Sequence, residues 1–176
     1  AWEDGTQSVG SVGEHTFKAT YTPGDANYHA VTGIDVTVTV NKAPVTIQIA
    51  GAPTEKTYGD ADFTVTAANG VTESTGNTGK WTWTSSDDTV LEIISGANTA
   101  TPTIKVKKAD TAGATLTVTY SSITHYGTAK VTIKVNKKDV TITGLSAGSK
   151  VYDGNTTANA TGAAVINGKV GSDDVT

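Results

Sequence analysis

Val36-Thr-Val-Thr-Val-Asn-Lys-Ala-Pro-Val-Thr-Ile47 returns, 95 residues later, as Val131-Thr-Ile-Lys-Val-Asn-Lys-Lys-Asp-Val-Thr-Ile142. In each copy an alternating β-branched run ends at Val-Asn-Lys, and a second run begins two residues on. Downstream, Lys56-Thr-Tyr-Gly-Asp60 lines up with Lys150-Val-Tyr-Asp-Gly154, now offset by 94. Upstream, Tyr21 and Tyr28 roughly match Tyr120 and Tyr126. A period this long is too long for a solenoid repeat and has the size of a whole sandwich domain, about 100 residues.

Composition agrees with an all-β chain. The 176 residues are 36% hydrophobic and 17% charged, with 19 Gly and no Cys or Met. Thr and Val dominate, stiff residues that suit a pleated surface. Alternating runs predict strands over 16–22, 34–40, 45–49, 63–67, 80–84, 103–106, 115–120, 129–135 and 140–143. Turn signals sit between them at Pro23-Gly24-Asp25, Gly59-Asp60, Asn69-Gly70, Asp153-Gly154 and Asn167-Gly168.

Charge narrows the partners. All 13 basic residues are Lys, and the net charge is -4. Nucleic-acid binding needs a basic surface and draws on the guanidinium fork, so nucleic acid is not an expected partner. With no Cys there are no disulfides, thiolate nucleophiles or cysteine zinc sites. No apolar run reaches the length of a membrane span.

The repeat sets the expected boundaries. Residues 44–137 read as one complete domain, 1–43 as the C-terminal half of a preceding one, and 138–176 as the N-terminal part of a following one. About 40 residues bury too little apolar surface to fold alone. A stretch of a longer array is the preferred reading. Strand complementation between copies, giving a head-to-tail self-assembling filament, is the alternative. Almost no linker separates the runs at Lys42–Pro44 or Lys137–Asp139, which favours a stiff rod over flexible beads.

Several stretches resemble bacterial cell-surface repeats. Gly13-Glu-His-Thr-Phe-Lys-Ala-Thr-Tyr-Thr-Pro-Gly-Asp-Ala-Asn-Tyr28, followed by Val36–Lys42, is similar to the end of repeats in long Gram-positive surface proteins. Lys56–Asp60 resembles the opening of MBG-type (mostly β, bacterial) repeats, and Lys150-Val-Tyr-Asp-Gly-Asn-Thr-Thr-Ala158 that of the YDG repeat. Trp83-Thr-Ser-Ser-Asp87 and Gly113–Tyr120 are similar to bacterial immunoglobulin-like group 2 domains. The resemblance implies tandem immunoglobulin-like β-sandwiches, one complete and two partial, on a bacterial surface, in a cell wall or secreted. It implies a stalk with no catalytic residues to carry over. Its partners would be neighbouring repeats of the same protein, with host glycan or protein as the alternative for an adhesive module.

Candidate sites are few. Trp81 and Trp83 are two residues apart and face one side of their strand. Trp81 is the candidate ligand-binding residue, as a sugar-stacking platform; core packing is preferred, at least for Trp83. Tyr21 and Tyr120 are expected to bond through their hydroxyls to nearby backbone. His15, His29 and His125 are scattered without zinc spacing. Asp60 with Asp62, Asp87-Asp88 and Asp173-Asp174 are the acidic pairs that calcium would use, but no repeated cage spacing supports one, and no cofactor is expected. Lys18, the conceivable donor for an isopeptide cross-link, alternates with Phe17 and is expected to point outward.

Overall fold

The structure, a computed structural model, describes residues 1–175, and these form strands and loops without a helix. The first pair is antiparallel: β1 (Gly13–Tyr21) with β2 (Val31–Val40). The central stretch supplies β3 (Ala43–Pro44), β4 (Gln48–Ala50), β5 (Glu55–Thr57), β6 (Phe63–Thr64), β7 (Thr66–Ala68), β8 (Lys80–Ser85), β9 (Leu91–Ser95), β10 (Thr103–Val106), β11 (Asp110–Ser121) and β12 (His125–Asn136). The last stretch holds β13 (Thr141–Thr143), β14 (Ser146–Ala147), β15 (Ala160–Thr161) and β16 (Val165–Asn167).

The central strands make two layers over one core, consistent with a β-sandwich. One layer runs β8-β11-β12, with β3 and β5 both parallel to β12 along its outer edge. The other runs β9-β10-β6, with β4 paired to β7 beside it. Alternation turns Ala114, Leu116, Val118 and Tyr120 of β11 inward, toward Ile104, Val106, Leu91 and Val65 of the opposing strands. All fourteen buried apolar residues of the described chain lie between Ile47 and Val135, which places the core in the central stretch.

The run predicted as one strand over 45–49 is divided. Ala43 and Pro44 lie along β12, the chain crosses at Val45–Ile47 to pair with β7, and β5 returns to β12. The crossing carries Ile47 into the core, so one continuous ladder would have kept this side chain on a single layer. The predicted strand over 63–67 is likewise split, between two partners within one layer, since β6 pairs with β10 and β7 with β4.

The flanking stretches repeat central geometry. Across β1–β2 the partners are Phe17 with Val36 and Ala19 with Ile34; across β11–β12 they are Leu116 with Val131 and Val118 with Ala129. From His15 to Ala19 and from Ala114 to Val118 the two hairpins share one register, and they part at Tyr21, where β1–β2 shifts. Trp2 bridges Ala19 across β1, as Trp83 pairs with Val118 across β11. At the other end β13 pairs antiparallel with β16, which leads into Asn167-Gly168 as β7 leads into Asn69-Gly70.

Candidate functional site

The aromatic strand sits at the rim of the core. Trp83 is buried, and its indole N–H donates to the Thr99 carbonyl at 3.1 Å. Trp81 is partly buried at the end of the same face, tilted against Tyr120 with ring centroids 4.7 Å apart. What remains open of Trp81 borders a recess with Lys80, Thr82 and Asn98. Much of the ring is therefore committed to packing.

Tyr120 differs from the corner bond expected of it. Its hydroxyl donates to Glu73 Oε1 at 2.8 Å, a side chain 47 residues earlier, and not to nearby backbone. Its repeat counterpart Tyr21 is 62% exposed. The difference follows from the loop 69–79, which closes over the end of the sandwich and has no counterpart above β1 in the described residues.

Glu73 is the centre of a polar network. Its second oxygen accepts from Asn77 Nδ2 at 2.6 Å and from Thr124 Oγ1 at 3.2 Å, and His125 Nδ1 lies 3.3 Å from the first. Asn77 also receives the Ile123 backbone N–H at 2.9 Å, while Ser122 Oγ accepts from the backbone of Thr124 and His125. Thr124 Oγ1 has one proton. If Glu73 takes it, His125 Nδ1 must donate to the hydroxyl 2.8 Å away, which places a hydrogen on Nδ1. The Ser122 hydroxyl does most to hold the Glu73 carboxyl below its usual range; burial opposes it, and Tyr120, Thr124 and the His125 charge add to it. Hydroxyl, imidazole and carboxylate meet at one ring nitrogen. A nucleophile relay uses both ring nitrogens, whereas here both contacts fall on Nδ1, and the geometry ties loops together.

A second constellation lies at the opposite end of the sandwich. β5 runs into the turn Tyr58-Gly59-Asp60. Tyr58 N–H donates to the carbonyl of Asn136, where β12 ends, at 2.9 Å. The Tyr58 hydroxyl reaches across to Asp173 Oδ2 at 2.8 Å. Gly59 has φ of 85°, and a Cβ there would stand 2.4 Å from Val170. Asp60 closes the turn by accepting from Thr57 N–H at 2.8 Å, which together with Lys56 lowers its pKa.

The remaining candidates are dispersed. Asp87 accepts from the hydroxyl and the N–H of Thr89, and these bonds lower its pKa. Among the described residues no three His, Asp or Glu side chains gather as a metal set. His15 bonds the Ser11 carbonyl at 2.6 Å, and His29 is exposed far from His125 in the chain. Lys18 is exposed opposite Phe17 and pairs with Asp35. Glu73 and Asn77 were not legible as partners, because both lie in a loop whose closure depends on the fold. Trp2, outside the strands and bridged to Ala19, matches Trp83 once β1 is aligned with β11.

The architecture is thus that of an all-β repeat protein with its polar clusters at the two ends of a sandwich. Residues 136–176 match the family model described as the YDG domain, in agreement with the resemblance carried by Lys150–Ala158. No curated protein matches the chain.

Proposed function

We propose that the chain belongs to a non-catalytic stalk or spacer of a bacterial surface or secreted protein, made of tandem immunoglobulin-like sandwiches. In this reading residues 44–137 are one whole unit, and 1–43 and 138–176 are parts of its neighbours. One observation carries it: Ile133 and Val135 of β12 are fully buried, whereas their counterparts Val38 and Val40 on β2 are partly exposed. The same residue types in the same register lack only the opposing layer. The layer order, with the first strand shared between sheets and parallel to β12, fits an immunoglobulin-like sandwich. The resemblance to MBG-type and group 2 repeats fits it as well.

The entry of β2 into β3 favours a spacer over flexible beads. Ala43 N–H already donates to Thr124 at 2.8 Å, and Lys42 Nζ to Ser121 Oγ at 2.9 Å, so no free linker intervenes. Small-angle scattering on the full chain tests this. An elongated particle is expected; a radius of gyration near ~16 Å, the value for a compact chain of this length, would overturn it. Melting temperatures with calcium and with EDTA are expected to coincide.

Adhesive binding is the second reading, and the open part of Trp81 beside Lys80 and Asn98 favours it. Glycan binding that disappears in Trp81→Ala would establish it.

A further inference from the structure

We infer that the Lys-x-Tyr turn is a clasp between consecutive units, whose Tyr58 hydroxyl and Gly59 slot hold the loop after β16 of the following unit. The inference rests on the tandem reading above and names the contact that sets the angle between units. Three observations carry it. The turn is anchored at the right place, because Tyr58 N–H is bonded to Asn136 at the last residue of β12, beside the passage into the next unit. Its outward groups are occupied by that unit: Asp173 accepts the phenol proton, and Val170 packs where Gly59 has no side chain. The loop presenting them is itself a turn, closed by Asp173 N–H donating to the Val170 carbonyl at 3.2 Å. An aliphatic group and a carboxylate three residues apart thus meet an aromatic hydroxyl and a glycine.

The repeat extends the clasp. Lys150-Val-Tyr152 carries the same Lys-x-Tyr, with Asp153-Gly154 reversing the order of Gly59-Asp60, and Tyr152 is 94% exposed. In the central unit the equivalent Lys56 and Thr57 are held by β12. The chemistry that the Tyr152 hydroxyl would meet is therefore that seen at Tyr58: a carboxylate on the corresponding loop of another repeat. The two tyrosines serve as test and control.

Nitrogen-15 relaxation on the isotope-labelled full chain reads the clasp directly. In the unaltered chain residues 139–175 should tumble with residues 44–136 as one body. Tyr58→Phe and Asp173→Asn should each abolish that shared correlation time, and the double variant should add nothing further. Tyr152→Phe should leave it intact. The melting transition of the central core should be unchanged in Tyr58→Phe, which separates loss of the clasp from loss of the fold. Independent tumbling in the unaltered chain, continued joint tumbling in Tyr58→Phe, or an equal effect of Tyr152→Phe would each overturn the inference. An elongated scattering profile with an inert Tyr58→Phe would sink the clasp and leave the spacer standing.

Discussion

Glu73 shows how much one side chain can organise when its neighbours are all donors. Asn77 of the loop 69–79, Tyr120 of β11 and Thr124 of the following turn donate to it, and bonds from Ser122, Tyr120 and Thr124 lower its pKa despite the cost of burial. A carboxyl with a folded pKa below its unfolded value of about 4.3 stabilises the fold above that pH. The contribution is lost as pH falls through the lower, folded value. Stability measured by urea denaturation between pH 6 and 2 should therefore drop in the acid limb. In Glu73→Gln that part of the drop should vanish, with lower stability at neutral pH. Such a role was hidden in the sequence, where Glu73 is an isolated acid in a Thr- and Gly-rich loop. Trp83, by contrast, could be placed in the core from its strand alone, because alternation and aromatic size both act locally.

At the scale of elements, β11 illustrates how a long strand is kept in register. It is irregular between Asp110 and Ala114, where Gly113 adopts φ of 77° and a Cβ would stand 2.4 Å from the Ile133 carbonyl. Beyond that bulge, Ala114 to Ser121 pair without interruption with β12. Gly113→Ala should therefore destabilise the sandwich by more than about 1 kcal/mol, read as a lower denaturation midpoint. Most long strands were readable from alternation, as at β2, β8, β10 and β12. The short ones were not. β5 is three residues of Glu, Lys and Thr, and its strand character comes wholly from the edge of β12. β9 reads Leu-Glu-Ile-Ile-Ser, too brief for a period to emerge.

Across the whole molecule, stability is concentrated where both layers exist. Ile133→Ala should cost about 2–5 kcal/mol, the range for emptying a closed core. Val38→Ala, its counterpart on β2, should cost less than about 1 kcal/mol in this chain, because its side chain is already partly exposed. The pair of variants, compared by chemical denaturation, measures how much less the β1–β2 hairpin is packed than the central core. The period of 95 residues aligned β2 with β12 before any coordinates, whereas the crossing at Val45–Ile47 between layers required them. That crossing has a mechanical consequence. β3 lies against the start of β12 and β5 against its end, both running in the same direction as β12. Tension drawn between Ala43 and Asn136 would slide these segments past β12 and load their hydrogen bonds in shear, all at once, not peel them one by one. A sandwich tied this way resists extension along β12 and would yield abruptly, with a force threshold set at the outer edge of a single strand.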